Sequence, residues 1–310
     1  MAVLQVGGII AVPDQPLVFF VAVFFLVYKR FCNKMSMVNT VLLGGVMALM
    51  LYTKYHAILI IVFTLFSNLK LALRYQAYMA ALIGASLFIP HLYWQYTHEF
   101  PSVYYHLFER NAPVYKISFT IEYIVGQLLI TGPFMGWLIL WSAFRYKPHD
   151  QFEKSLQFSL HGIYILFLVS TLKGRVEANW TVPAFVSLII LSHQFLTANQ
   201  PLQRILIRSI PLTLVFILAV RIYMILDIGP LKFLSKDEFH KTRVWADSIY
   251  KRSVGLPVVF INSYQDASKY WFYTGVPAFS LNTPSYRRNN YNFWPVEDSL
   301  FHHKGRNRWL

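Results

Sequence analysis

Cysteine, charge and acidic side chains are all scarce in this chain. One cysteine, Cys32, stands among 310 residues, which excludes an internal disulfide and any cysteine-based metal site. Only 14% of the residues are charged, where a soluble domain carries about a quarter, so most of this surface is not built to face water. Acids number 14 against 28 Lys and Arg, a formal charge of +14. Such an excess invites a nucleic-acid reading. The cations, however, sit in small groups at the ends of apolar runs rather than along one stripe, so nucleic acid is not expected as a partner. Met1 is followed directly by apolar residues with no basic segment, and no cleavable signal peptide is expected. Repeats and low-complexity segments are absent as well.

What is present is apolar: 56% hydrophobic residues, 17% of the chain aromatic. A membrane-crossing helix needs about 20 largely apolar residues. Runs near 16–28, 38–53, 57–67, 78–94, 121–144, 156–172, 181–197 and 207–226 predict about eight spans, the first and third short, with residues 1–12 as the tail of an earlier one. One set of connecting loops holds ten cations: Lys29, Arg30, Lys34, Lys70, Arg74, Arg145, Lys147, Lys154, Arg204 and Arg208. The alternate set holds five: Lys54, Arg110, Lys116, Lys173 and Arg175. The positive-inside rule puts the first set in the cytoplasm. Alternation of the spans then places Asp14, Lys54, residues 95–120, the segment 173–180 and the C-terminal tail together outside. Residues 95–120 are rich in aromatics and read as short interfacial helices. Gly132-Pro-Phe-Met-Gly136 reads as small-residue helix packing. Beyond residue 226, a helix over 236–252, a buried strand over 257–262, a helix over 266–273 and a strand over 278–281 predict a small α/β unit. The expected architecture is an α-helical multi-pass membrane protein over residues 1–226, with a small extracytoplasmic α/β domain over 227–310 that ends abruptly and reads as incomplete.

Polar residues gather at the outer ends of these spans, where charge is costly and functional groups are to be sought. Lys173-Gly-Arg-Val-Glu-Ala-Asn-Trp180 is the densest group. In an extended segment Lys173, Arg175 and Glu177 share one side, as charges flanking a span or as an anion pocket in which Arg175 offers a planar fork to phosphate. Asn179-Trp-Thr181 matches a glycosylation sequon, set too close to the bilayer for that use. Asp14, in Val-Pro-Asp-Gln-Pro, suits a helix N-cap first and a functional acid second, and the two roles are compatible. In Tyr52-Thr-Lys-Tyr-His56, Lys54 either snorkels to the headgroups or meets an anion, and His56 reads as an interfacial hydrogen-bonder. His91-Leu-Tyr-Trp-Gln95 runs on through His98 and His106, a weak metal pattern broken by Pro101. Its aromatics and amide fit sugar recognition and an ordinary aromatic belt alike. Glu109-Arg110 reads as an internal ion pair or as an acid beside a phosphate clamp. In the tail, the polar stretches 262–266 and 283–290 read as surface loops of the α/β unit, with ligand binding the second reading.

Pro13-Asp-Gln-Pro16, Thr53-Lys-Tyr-His56, Pro90-His-Leu-Tyr-Trp94, Glu109-Arg110 and Glu177-Ala-Asn-Trp180, in this order at these helix ends, resemble the GT-C glycosyltransferases. The nearest branch is the family 39 group of protein O-mannosyltransferases and lipid A aminoarabinose transferases. The resemblance covers most of residues 1–226. It implies an integral-membrane enzyme of the bacterial inner membrane that moves a sugar, with inversion, from a polyprenyl-phosphate carrier to a lipid, glycan or protein acceptor on the outer face. It implies Asp14 as an acidic loop residue at the catalytic site. It implies donor phosphate and sugar contacts from Lys54, His56, His91, Glu109, Arg110, Lys173, Arg175, Glu177, Asn179 and Trp180. No cofactor is assigned, and a divalent metal is left open. The family's principal acidic loop, between its first two helices, has no counterpart here, so the chain is expected to lack the first helices, and Asp14 does not simply inherit the missing base. The other reading is a non-catalytic membrane protein that binds the carrier. A transporter would repeat polar residues at mid-span depth, and here they collect at one face.

Overall fold

The structure, a computed structural model, describes residues 12–104, 114–226, 241–283, 286 and 289–294. The chain divides into two compact units, Met1–Phe216 and Ile217–Leu310.

The first unit is helical. Helix α1 (Asp14–Asn33), α2 (Met37–Thr53), α3 (Ala57–Ser67) and α4 (Tyr75–Thr97) follow one another, with a 3-10 turn, Leu69–Leu73, between α3 and α4. A four-residue helix α5 (Pro101–Tyr104) precedes α6 (Ile117–Thr131), α7 (Gly136–Arg145) and α8 (Gln151–Ser170). A 3-10 segment, Ala178–Ala184, leads into α9 (Phe185–Thr197), and α10 (Gln200–Ile225) follows. Their interior is apolar. Leu17, Val21, Phe25, Ile60, Leu160 and Phe185 are buried in one continuous core. Their outward faces are apolar too: Leu82 on α4 is 66% exposed and Val215 on α10 is 64% exposed. Apolar side chains turned outward over whole helices have lipid as their solvent, which makes this a helical membrane protein.

Four helical stretches, over 14–33, 75–97, 178–197 and 200–223, have the length and hydropathy to cross a membrane, and the α6–α7 pair makes a fifth if its two arms are one span. Helices α2 and α3 are apolar but shorter, with 17 and 11 residues. Helix α8 has 20 residues and opens on Glu153 and Lys154.

The single span expected over 121–144 is instead two helices meeting at 98°. Pro133 has no amide to continue the helix, and Gly132 at φ 160° takes the chain out of helical geometry. At Gly136 the returning backbone comes so close that a Cβ there would lie 2.2 Å from the Leu128 carbonyl oxygen. The Gly-Pro-Phe-Met-Gly stretch thus breaks the span. A second close approach went unread in the sequence. Gly44 of α2 faces Gly84 of α4, and a Cβ on Gly44 would sit 2.6 Å from the Ala80 carbonyl. Away from that crossing, helices are joined by hydroxyls: Thr64 to Ser159, Ser67 to Ser155, and Ser155 to Tyr28. Such bonds suit helices with no hydrophobic force between them in lipid.

In the second unit, α11 (Thr242–Ser253), β1 (Val258–Ile261), α12 (Tyr264–Thr274) and β2 (Ala278–Leu281) form an α/β element. The strands pair in parallel, Val258 opposite Ala278, with α12 as the crossover that parallel pairing requires. Ser263 caps α12, and Gly275, at φ +73°, ends it in the left-handed conformation that glycine adopts without strain. Ala246, Val258, Ala267, Tyr270, Ala278 and Tyr291 make the core. The helix read over 236–252 occupies 242–253 among the described residues, and β1 buries Val258 while Ile261 is 71% exposed.

Candidate functional site

Three segments remote in sequence meet at one polar point. Asp14 opens α1, Lys54 follows the last turn of α2, and Asn179 lies in the 3-10 segment before α9. Lys54 Nζ donates to Asp14 Oδ1 at 2.6 Å, and Asn179 Nδ2 donates to Asp14 Oδ2 at 2.8 Å. Asp14 is 4% exposed. A buried carboxylate needs such partners, and the positive end of the α1 dipole adds to them. The capping role read for Asp14 is corrected here. Pro13 occupies the cap position with no side-chain bond, and the Asp14 carboxylate reaches across the bundle instead.

The neighbouring residues build an aromatic wall. The rings of His56 and Trp180 lie 5.1 Å apart, His56 and Phe167 5.4 Å, and Phe167 and Trp180 5.4 Å. His56 is the N-cap residue of α3, three residues after α2 ends, so its ring stays beside Lys54 in the chain. Below the loop, Gln127 in α6 donates to the Ala178 carbonyl and accepts from Thr181 Oγ1. Gly126 leaves room for Ala178, whose Cβ would be 3.0 Å from a Cβ at that position. Residues 178–181 are thereby pinned to α6.

Exposure alternates along 173–177, although Lys173 and Gly174 lie in a turn rather than an extended segment. Lys173, Arg175 and Glu177 are exposed, and Gly174 and Val176 between them are buried. Arg175 Nε pairs with Glu122 Oε2 at 3.1 Å rather than with Glu177. With both side chains well exposed, that pair contributes about 0–1 kcal/mol and leaves the guanidinium reachable. His91 belongs to a second group. Its Nε2 shares a hydrogen bond with Tyr55, whose hydroxyl also accepts from Gln95 Nε2 at 2.7 Å. Gln95 donates further to Ser102 in α5, so that short helix is tied to α4. His98 stacks on Trp94 at 4.3 Å. Among the described residues no three His, Cys, Asp or Glu side chains converge on a point that could hold a metal. His106, Glu109 and Arg110 lie outside the described residues.

Asp14, Lys54, His56, Asn179 and Trp180 therefore stand around one another, His91 joins through Tyr55 next to Lys54, and Lys173, Arg175 and Glu177 line the exposed side of the same loop. Gln127, Phe167 and Glu122 had not been singled out. Gln127 was findable as an amide inside an apolar run, at a depth where polar groups carry a reason. Phe167 carried no such signal.

No family model matches the chain, and no solved structure matches it. It is similar to a curated protein, lipid A galacturonosyltransferase RgtD of Rhizobium johnstonii, at 24% identity over 200 residues, 61% of this chain. The chain spans 41% of that enzyme's length.

Proposed function

We propose that the chain belongs to an integral-membrane glycosyltransferase of GT-C type, which moves a sugar from a polyprenyl-phosphate carrier to a lipid, glycan or protein acceptor at the outer face of the bacterial inner membrane. The observation that carries this reading is the meeting of Asp14, Lys54 and Asn179 beside the His56–Trp180 wall. The likeness to a lipid A galacturonosyltransferase points the same way. On this reading the chain crosses the membrane eight times, α3 and α8 included, and residues 227–310 form the extracytoplasmic domain.

In the reaction, an acceptor hydroxyl attacks the anomeric carbon, and the bond from that carbon to the carrier phosphate breaks. The electron pair leaves with polyprenyl phosphate, and the hydroxyl proton passes to a carboxylate base. Lys54, with Lys173 and Arg175 on the loop, stabilises charge growing on the departing phosphate. Trp180 and His56 offer a face on which a sugar ring or the first isoprene stacks. Asp14 holds Lys54 in position. Both of its oxygens are engaged, and this favours a second reading of the described residues: a carrier-binding protein without transfer chemistry of its own.

Incubating the purified protein with labelled polyprenyl-phosphate sugar separates the two. Sugar transfer that falls in Lys54→Ala and Arg175→Ala supports the enzyme. Carrier binding without release supports the second reading. Release that survives both substitutions overturns the assignment of these residues.

A further inference from the structure

At the opposite end of the bundle from Asp14, the C-terminal end of α1, the end of α3, the 3-10 turn 69–73 and the start of α8 enclose an open cavity of about 640 Å³. Its charged lining is of one sign: Lys70, Arg74 and Lys154. No carboxylate pairs with any of the three among the described residues. A larger cavity beside it, about 1050 Å³ between the ends of α7 and α9, mixes Arg145 and Lys147 with Glu153, so charge singles out the smaller one. Its floor is braced. Gln151 Nε2 donates to the Ser67 carbonyl at 2.9 Å, and Ser67 Oγ donates to Ser155 Oγ at 2.9 Å.

Beside these cations stand apolar side chains that face outward. Phe66 is 54% exposed and Leu69, at the start of the 3-10 turn, is 65% exposed. Three cations over a rigid polar floor call for an anion, and an exposed Phe and Leu beside them call for a hydrocarbon chain on the same molecule. A phosphate diester carrying acyl chains satisfies both, and a free phosphate satisfies only the first. We propose that this cavity binds the headgroup of an anionic phospholipid, with its phosphate among Lys70, Arg74 and Lys154 and an acyl chain against Phe66 and Leu69. By the positive-inside rule the lipid belongs to the cytoplasmic leaflet. The site stands apart from the Asp14 cluster and does not depend on the reading of that cluster as a transferase.

The test titrates the detergent-purified chain with short-chain phosphatidylglycerol, with phosphatidylcholine and with inorganic phosphate, reading bound lipid by native mass spectrometry and the thermal midpoint in parallel. Phosphatidylglycerol should bind and stabilise, and each of Lys70→Gln, Arg74→Gln and Lys154→Gln should weaken it about fivefold, the value of one cation near an anionic surface. Lys34→Gln, an equal loss of charge at the same end but outside the cavity lining, should leave the affinity within about twofold. Equal losses from Lys34→Gln and the cavity variants would mean a diffuse field and overturn the site. Stabilisation by inorganic phosphate or phosphatidylcholine equal to that by phosphatidylglycerol would overturn the lipid.

Discussion

Replacing Lys54 by Met keeps the hydrocarbon stem and removes the charge, leaving Asp14 buried with one of its two partners. Removing one member of a buried ion pair costs about 3–5 kcal/mol when the survivor is fully enclosed. Here Asn179 still donates to Oδ2, and the Lys54 side chain is 16% exposed, so water reaches the vacated place and the cost falls to about 2–3 kcal/mol. Asp14→Asn is milder, about 1 kcal/mol, because the ammonium at the end of α2 can turn its long stem toward the headgroups. The double variant has no orphaned charge. It should lose less than the sum, with a coupling of about 2 kcal/mol across the cycle. Thermal unfolding in micelles reads this: about 2–4 °C per kcal/mol for a unit of this size puts Lys54→Met roughly 4–12 °C below the parent. Losses that add within about 0.5 kcal/mol would show that the two groups are not coupled and that the contact does not hold the three segments together.

Three further substitutions test the helix packing and the other face. Gly44→Ala places a Cβ 2.6 Å from the Ala80 carbonyl and should destabilise by about 1–3 kcal/mol. Gly45→Ala, with nothing within 4 Å, should stabilise by up to about 1 kcal/mol through helix propensity, and the same sign for both in a melting experiment would refute the α2–α4 crossing. Tyr146, after the end of α7, is pushed up to about 12 by burial and by its hydrogen bond to the Glu153 carboxylate. The folded protein therefore keeps a proton that the unfolded phenol releases from about pH 10 upward, so stability falls as pH rises from about 10 to 12. In Tyr146→Phe that part of the slope should vanish, and an unchanged slope would show that Tyr146 is not its source.

Four of the spans were legible where long apolar runs left no other solvent for them. Their shared ends were legible because loop charges alternate, which put Asp14, Lys54 and residues 173–180 on one face before any contact was known. Helix boundaries slipped where a cap had to be guessed: α1 begins at Asp14 without using its side chain, and α10 begins at Gln200 rather than near 207. The bend at 132–136 was misread because glycine serves close packing and chain reversal alike, and only the position of Leu128 decides between them. Gly44 against Gly84 was illegible for a related reason, since which small residues meet depends on which helices are neighbours. The partner of Arg175 was missed because Glu122 stands on another helix, 53 positions away in sequence. Glu177 was only nearer along the chain.

The geometry of Asp14 alters what can be asked of it. A general base must present an oxygen within about 2.6–3.2 Å of the proton it takes, and both oxygens of this carboxylate are already held, by Lys54 and Asn179. Lys54 is placed the other way. Its ammonium has three donor hydrogens and spends one on Asp14, so it can still meet a phosphate oxygen. The two residues should then fail differently. If Asp14 were the base, Asp14→Asn would lower kcat by about 10²–10⁴ with carrier affinity unchanged. If it is instead a positioning residue that acts through Lys54, as proposed, Asp14→Asn should raise KM for the carrier several-fold, lower kcat by less than about tenfold and leave the acid limb of the pH profile in place. Lys54→Met should produce the larger loss, and adding Asp14→Asn to it should change the kinetics little further. Loss of the acid limb in Asp14→Asn, with KM constant, would assign the carboxylate the role of base.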